Sequence, residues 1–248
     1  MNGLIAIPYV PAAVSTTTDT AAGWPVANVI TRQPRRAAVF EASPAGIDID
    51  LGEARDVGLV GLVSTDATHW EVRAAATQLD LDSAGAIVDE SVTPGAGVQA
   101  LFWDGALREE RWWRIAVSGV PDFRVGRIVL AKGFQPDFNF EFGGTRGHAP
   151  GWEIEQAAGG AIYPTGHPQR RRWALTYGDI TDEEYSAELE AIDAYTAGGG
   201  EVLFVRDPDP ENDDRMAGAL YGLMRLAQGA TRVRQNRWRA PITLEELT

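Results

Sequence analysis

The 248-residue sequence contains no cysteine, which excludes disulfide bonds, zinc–thiolate sites and thiol nucleophiles. Its three histidines, His69, His148 and His167, do not have the spacing of a histidine metal motif, and we interpret them as surface or turn residues. No apolar run approaches the roughly 18 residues that span a bilayer. The N-terminus lacks a basic region and is interrupted by Pro8 and Pro11, so no signal peptide is expected. We therefore predict no metal site, no cofactor and no membrane insertion.

Catalytic motifs are also missing. The sequence has no G-x-S-x-G elbow, no Walker loop and no G-x-G-x-x-G that follows a strand. Glycosidases use paired carboxylates, but a pair means little among 35 acidic residues. Alternating carboxylates in residues 207–214 offer oxygen ligands for calcium, which is the alternative. We predict a solvated loop, because Pro208 and Pro210 interrupt it and an EF-hand glycine is missing. We predict that the protein is not an enzyme and has no catalytic residue.

Basic residues are few, and all but one are arginine. Lys132 is the one lysine among 22 basic residues, and the net charge of −13 argues against a nucleic-acid partner. Residues 179–193 hold seven acids and no base, whereas residues 215–239 hold six arginines and no acid. The arginine bias fits a GC-rich genome, and it also fits acidic and basic faces that meet between subunits. Both explanations remain open at this point.

Residues 24–133 have the pattern of an all-β domain. Ile47, Ile49 and Leu51 alternate with polar residues, as in a half-buried strand. Turn signals separate the strands and no helix pattern is convincing, which predicts a β-sandwich or barrel. Residues 1–23 are predicted to be an arm or an edge strand. The predicted strands are residues 24–29, 47–52, 57–63, 70–74, 111–117 and 125–130.

The order and spacing of these strands, including Trp24–Val29, IDIDLG, VGLVGLV, RWWRI and VGRIVLA, resemble the discoidin-like (galactose-binding-like) jelly-roll of virion proteins from tailed bacteriophages. The resemblance covers about residues 20–133 and implies an N-terminal β-sandwich jelly-roll, which we extend to 1–133 to include the arm. The phage versions often carry a His-Asn pair after the aliphatic strand. This sequence has Ser64-Thr65-Asp66-Ala67 there, which weakens any transfer of a loop function.

Residues 170–208 predict a strand, a helix and a second strand. In the first strand, Trp173, Leu175 and Tyr177 alternate with smaller or polar residues. Thr181 and Glu184 fit a capping box at the start of the helix. Gly198-Gly199-Gly200 ends it, because glycine accepts the left-handed conformation of a helix end. Residues 202–205 form a buried strand, and the helix needs a sheet to cover its apolar stripe.

The remaining C-terminal half contains further strands. Residues 134–169 form a bridge rich in glycine and proline, of which 134–149 is a predicted linker. Further strands are expected at residues 152–154, 161–163 and 217–224. In the last segment the side chains of Trp238, Ala240, Ile242 and Leu244 are expected to share a face. We predict a second domain over residues 150–248.

The pattern RRRW…T-x-x-E helix…G…VLFV-x-DP…W-x-x-x-I-x-L-E-E is similar to the hub domains of phage tail-tip proteins, including the distal tail protein. The resemblance implies a small β-sandwich or barrel that carries one α-helix and assembles into a ring. It also implies a place in the virion, at the tail tip or baseplate, for a protein made in the host cytoplasm. Expected partners are further copies, as a hexamer or trimer, and the tube, hub, fibre or tape-measure proteins.

Two functions follow as hypotheses. The first is a structural component that forms a ring between the tail tube and the host-recognition parts. Its subunit interface is predicted to use acids of the helix and arginines of the C-terminal segment: Asp182, Glu183, Glu188, Arg232, Arg234 and Arg237. The alternative is a carbohydrate-binding adhesion module that attaches the virion to host glycans. Most tryptophans fall in predicted strands, so Trp103, in a predicted loop at residues 101–105, and Asp66 are the candidates for sugar contact.

Overall fold

The computed structural model describes residues 2–149, 152–156, 162–166, 169–212, 214–227 and 229–247, with the backbone alone for 104, 152–156 and 162–165. The chain is mainly β with antiparallel sheets, which confirms the predicted fold class. It divides into two units. Unit 1 contains residues 3–135 and 201–221, and unit 2 contains Asn2 and residues 136–200 and 222–248.

Unit 1 is built on a seven-stranded sheet with the order β3-β8-β4-β7-β5-β6, in which β2 also pairs with β4. Unit 1 also contains β1, an edge strand that pairs with β13 outside this sheet. The predicted edge strand near the N-terminus therefore exists. The strands of unit 1 are β1 (Leu4–Ala6), β2 (Ala13–Thr16), β3 (Ala38–Phe40), β4 (Ala45–Thr65), β5 (His69–Ala75), β6 (Val88–Ser91), β7 (Val98–Ser118), β8 (Phe123–Ala131) and β13 (Glu201–Val205).

Two strands of 21 residues, β4 and β7, pass through both layers of a β-sandwich. Residues 45–50 of β4 and 112–117 of β7 lie with β2, β5 and β6 in the first layer. Residues 59–63 and 98–103 lie with β3 and β8 in the second layer. The pairing of β4 with β7 is irregular across residues 50–55, and such irregularities let a strand bend from one layer into the other.

One hydrophobic cluster fills the space between the two layers. Ile47 and Ile49 enter it from the first layer, and Leu62 enters it from the second. The predicted alternation of this strand is therefore confirmed. Because successive side chains of a strand point to opposite faces, Asp48 and Asp50 lie on the other side of the first layer.

Two segments of unit 1 differ from the prediction. Residues 24–29, predicted as the first strand, contain a 3-10 helix at Val26–Ile30 that follows Pro25. Proline has a fixed φ and no N–H, so it suits the start of a helical turn. Residues 101–105, predicted as a loop, belong to β7, where Gly105 has a φ of 73°. The glycine that suggested a turn marks an irregular point within a strand.

Unit 2 contains a sheet with the order β14-β16-β12-β9, with β15 beside β16, and a two-stranded ribbon of β10 and β11. Part of the predicted linker is thus a strand of this sheet. The strand predicted at residues 217–224 lies two residues later and begins in unit 1. The strands are β9 (Thr145–Ala149), β10 (Trp152–Gln156), β11 (Ile162–Gly166), β12 (Arg170–Thr181), β14 (Ala219–Leu226), β15 (Thr231–Arg234) and β16 (Arg237–Glu246).

A helix follows β12 and consists of α1 (Asp182–Glu184), a π-helical turn (Tyr185–Leu189) and α2 (Glu190–Ala197). The predicted capping box is confirmed, because the Thr181 hydroxyl accepts from the Glu184 amide at 3.0 Å and the Glu184 carboxylate accepts from the Thr181 amide at 2.8 Å. Gly199 has a φ of 80°, as expected for the residues that end a helix. In the described part of the chain, no helix is long and apolar enough to cross a membrane.

The sheet of unit 2 has a covered inner face and an exposed outer face. Trp173, Leu175 and Tyr177 are buried on the inner face, and cross-strand pairing places Leu244, Ile242 and Ala240 beside them, as the alternation predicts. The helix lies on this side, with Leu189 and Ile192 buried. The residues between them point outwards. We call this second surface the outer face: Arg172, Ala174, Leu223, Arg225, Thr243 and Glu245.

Candidate functional site

The acidic start of the helix meets the arginine-rich end of the chain within unit 2. One carboxylate oxygen of Asp182 accepts from Arg232 Nη2 at 3.1 Å, and the other accepts from Trp238 Nε1 at 2.6 Å. The ring of Tyr185 stacks on Trp238 with 4.3 Å between centroids. Two of the predicted interface residues therefore hold the helix against β16 and β15 of the same chain.

Two further predicted interface arginines bind an acid that the sequence analysis did not select. Arg234 Nη2 and Arg237 Nε each lie 3.2 Å from Asp179 Oδ1. In the structure, these acids and arginines therefore meet within unit 2 of the same chain. A role of these residues between subunits stays a prediction, and much of their charge is already neutralised within the chain.

The helix also presents acids that no internal arginine neutralises. Glu183, Ala187, Glu190 and Ala194 are exposed, and we call these four residues the acidic stripe. Within the described residues, neither Glu183 nor Glu190 forms an ion pair. Of the predicted interface acids, Glu183 is therefore available to a partner, whereas Glu188 is half-buried.

The outer face carries the opposite charge. Arg172 and Arg225 are exposed there, and neither forms an ion pair with any residue that the structure describes. Glu245, the acid of this face, is bound by Arg170 at 3.0 Å. Arg172 and Arg225 line one groove of about 240 Å³ with Leu223 and Thr243. Unit 2 thus has a basic groove on its sheet and an acidic stripe on its helix, and Leu223 and Arg225 also line a second groove with Asp193 of the helix.

Trp103, one of the two predicted sugar contacts, is half-buried in β7. A Cβ added to Gly58 or Gly133 would lie within 2.9 Å of its ring, so both glycines leave room for the indole. The ring packs against backbone on this side. The prediction that Trp103 lies in a loop is wrong. Its contact with sugar stays a prediction, which the packing of its ring does not favour.

Asp66, the other predicted sugar contact, lies at one end of the sandwich. Its carboxylate binds Arg124 Nε at 2.8 Å, and both side chains are about half exposed. Arg124 pairs across strands with Val39, whose amide donates to the carbonyl of Trp24. Trp24 is 41% exposed, more than any other tryptophan whose side chain is described. The backbones of exposed Trp24 and of Arg124 are thus both next to Val39.

A charged network covers the first layer of the sandwich. Buried Asp48 accepts from two of the three guanidinium nitrogens of Arg114, Nε at 2.5 Å and Nη2 at 2.8 Å, and also accepts from Gln78. Burial alone would raise the pKa of Asp48, but the hydrogen bonds of Arg114 and Gln78 outweigh it and the pKa is lowered. The pKa of Asp50 is lowered mainly by hydrogen bonds from Arg111. These groups are paired with each other, so they stabilise the sandwich.

The acidic loop at residues 207–214 is organised by its own backbone. Asp207 accepts from the Asn212 side chain at 3.1 Å, and Asp209 accepts from the Glu211 amide at 3.0 Å. Asp213 lies outside the described residues. Across the described residues, no group of three histidine or acidic side chains is arranged to hold a metal ion. The loop geometry is that of hydrogen-bonded turns.

The predicted histidines have no common site. His69 Nε2 lies 2.8 Å from the Asp89 carboxylate on the neighbouring strand. His148 is exposed in β9, where a loop was predicted. His167 lies outside the described residues.

Several residues of these surfaces were missed from the sequence, although a signal existed for some. The alternation of Trp173 and Leu175 already implies that Arg172 points away from the helix. Glu190 follows Glu183 by seven residues, which places both on one side of a helix. Nothing in the sequence identified Asp179 or Trp238 as partners of the charged residues, because that contact depends on how β12 pairs with β16.

Comparison with known proteins gives structural similarity alone. No protein-family model matches the sequence, and no curated protein is similar to it. The family 32 carbohydrate-binding module of NanJ from Clostridium perfringens, solved with galactose, is 16% identical, covers 51% of this chain and 98% of its own, and has a TM-score of 0.44. The AlyQ module, solved with 4,5-unsaturated mannuronic acid, is 15% identical, with coverages of 50% and 97% and a TM-score of 0.43. A fucose-binding module of Streptococcus pneumoniae is 14% identical, with coverages of 51% and 96% and a TM-score of 0.40.

Proposed function

We propose that this protein is a non-enzymatic structural component that self-associates, as a ring in the tail tip or baseplate of a tailed bacteriophage. In that position it would link the tail tube to the parts that recognise the host. Copies of the chain and neighbouring tail proteins are its proposed partners, and the virion is its proposed location.

The observation that carries this proposal is the pair of oppositely charged surfaces of unit 2. The acidic stripe holds Glu183 and Glu190, and the outer face holds Arg172 and Arg225, with no ion pair for any of the four among the described residues. Unpaired charges on a surface are hydrated by water, so both surfaces can be exposed on a single subunit. Complementary surfaces on one molecule favour contacts between copies and guide their encounter.

The sequence pattern supports the more specific part of the proposal. The strand, capped helix and strand, followed by a last strand of alternating apolar residues, resemble the hub domains of tail-tip proteins. In the structure, the first strand, the helix and the last strand of this pattern lie in unit 2, whereas its second strand, β13, belongs to unit 1. The place in a virion depends on this resemblance.

Self-association is tested by native mass spectrometry and negative-stain microscopy of the full-length protein. We expect a closed oligomer that dissociates as ionic strength rises, because exposed ion pairs are screened by salt. Particles should contain the protein at the tail tip in immunogold labelling. A protein that stays monomeric at the highest soluble concentration, and that is absent from particles, would contradict the proposal.

A second candidate function is carbohydrate binding by unit 1. It is favoured by exposed Trp24 and by the exposed Asp66–Arg124 pair, whose backbones are linked through Val39, because an aromatic ring and charged hydrogen-bonding groups suit a sugar. The modules compared above bind sugars such as galactose and fucose. An adhesion function and a structural function are compatible in one protein, since they use different units.

Carbohydrate binding is tested on a glycan array that includes galactose and fucose. If this function exists, Trp24→Ala should weaken binding by about tenfold or more, as expected for the loss of a stacking anchor. Leu79→Ala is the control, because Leu79 is 88% exposed on another part of unit 1. Absence of binding by the unmodified protein would count against this candidate without affecting self-association.

A further inference from the structure

We infer that copies of this protein assemble head to tail, with the acidic stripe of one copy seated on the outer face of the next. The inference rests on the proposed self-association and identifies the surfaces that make it. The partner is a second copy of this chain, and the contacts are Glu183 and Glu190 with Arg172 and Arg225.

Internal pairing selects these residues from a much larger set of charges. The acids and arginines nearest the start of the helix are bound to one another, as shown by Asp182 with Arg232 and by Asp179 with Arg234. Using them between subunits would first require breaking those contacts. Glu183 and Glu190 need no such rearrangement.

The distance between the two acids of the stripe is similar to the distance between the two arginines of the outer face. Glu190 is seven positions after Glu183 in a helix that includes the π-helical turn, so the two backbones are about 10 Å or less apart along the axis. Arg172 pairs with Glu245, which pairs with Leu223, and Arg225 lies two residues further along β14. The two arginines are therefore two strand spacings apart across the sheet and two residues apart along the strands, so their backbones are about 12 Å apart. Long arginine side chains absorb the difference, so both ion pairs can form at once.

The surface between the charges allows a helix to approach closely. Ala187 lies between the two acids of the stripe, and Thr243 and Glu245 lie on the strand between the two arginines, where Arg170 binds Glu245. The small side chains of Ala187 and Thr243 permit the close packing of a helix on a sheet. The half-buried Leu223, in the same groove as both arginines, supplies apolar area to the contact.

The contact has a direction, because it joins two different surfaces of the same molecule. Each copy uses its helix towards one neighbour and its sheet towards the other. Such heterologous contacts repeat until the rotation closes a ring, or continue as a filament if it does not. In either case each helix lies between two sheets, which is a common layered arrangement.

Charge reversal in the full-length protein tests this inference. Glu183→Arg with Glu190→Arg makes the stripe basic, and Arg172→Glu with Arg225→Glu makes the outer face acidic. Each double variant should raise the dissociation constant of assembly by at least about tenfold, because like charges at an interface cost more than 1.4 kcal/mol. Mixing the two double variants should restore assembly, since every contact then joins opposite charges. A quadruple variant should assemble alone.

Matched variants separate this effect from net charge. Glu41→Arg with Glu109→Arg, and Arg35→Glu with Arg36→Glu, make the same charge changes at exposed sites of unit 1 and should assemble normally. Circular dichroism and Tm should show that every variant is folded. If the unmodified protein assembles and the two stripe and face variants do so equally well, the inference is overturned while self-association stands. If the unmodified protein is monomeric, self-association fails and this inference fails with it.

Discussion

Replacing Asp48 with alanine is expected to lower the free energy of unfolding by about 3–5 kcal/mol, the loss found when one member of a buried ion pair is removed. Asp48 is 3% exposed and binds Arg114 through two guanidinium nitrogens. The side chain of Arg114 is 16% exposed and would keep the exposed carboxylate of Asp82 as a partner, so a loss at the lower end of this range is expected. Urea unfolding, followed by tryptophan fluorescence, measures the change.

Asp50→Ala is the matched control in the same strand. Its partner Arg111 is 44% exposed and regains water once the carboxylate is gone, so a smaller loss of stability is expected. Equal losses in the two variants would contradict the argument from burial. A double variant, Asp48→Leu with Arg114→Met, should recover much of the lost stability, because apolar residues of similar size often replace a buried ion pair without cost.

The same carboxylates make the stability of the unmodified protein depend on pH. The pKa values of Asp48 and Asp50 are lowered in the folded chain, and unfolded aspartate has a pKa of about 3.9. A lowered folded pKa stabilises the protein above the unfolded value, and this contribution is lost as pH falls from about 4 through the folded value. Asp48→Ala should therefore show a weaker decline of stability over that range.

Local patterns in the sequence predicted much of the fold. The alternation around Ile47 and Trp173 identified strands and their buried faces, and Thr181 with Glu184 identified the start of the helix. These signals depend on a few neighbouring residues. Residues 45–63 of β4 pair with residues 98–117 of β7, so the length of each strand depends on contacts between residues that are far apart in sequence. Short runs therefore predicted pieces of each strand and missed the bend between layers.

Turn signals were less reliable because they report local conformation alone. Gly105 has the positive φ that a turn favours, yet the chain continues as a strand on both sides. Trp103 was consequently predicted to be an exposed loop residue. The opposite error occurred after Pro25. The apolar residues of this segment suggested a strand, but a 3-10 helix begins after the proline.

The charge pattern predicted that acids and arginines in the C-terminal half of the chain form contacts. It did not predict which acid pairs with which arginine. Asp182 and Arg232 are 50 residues apart and meet through the pairing of β15 with β16. Glu183, next to Asp182 in sequence, points elsewhere and remains available. A sequence gives the total charge of a segment, whereas the difference between neutralised and available charge requires the three-dimensional structure.

Replacing Gly222 with alanine is expected to destabilise unit 2 by about 3 kcal/mol, the upper end of the range for overpacking. Gly222 pairs with Glu246 in the β14–β16 ladder. A Cβ at this position would collide with the backbone of Glu245 and Glu246, so the two strands would have to separate. A backbone collision is not relieved by a change of rotamer. Thermal unfolding and hydrogen exchange of the β16 amides measure the loss.

Gly147→Ala is the matched control, because Gly147 lies in β9 opposite Arg172 and an added Cβ would have no atom within 4 Å. Alanine is more favourable than glycine in a strand by about 0.5–1 kcal/mol when space allows. The two substitutions should therefore change stability in opposite directions, although both replace a glycine of the same sheet. A stabilising effect of Gly222→Ala would mean that β14 and β16 are further apart than in this structure. It would also alter the spacing of Arg172 and Arg225, on which the match to the acidic stripe depends.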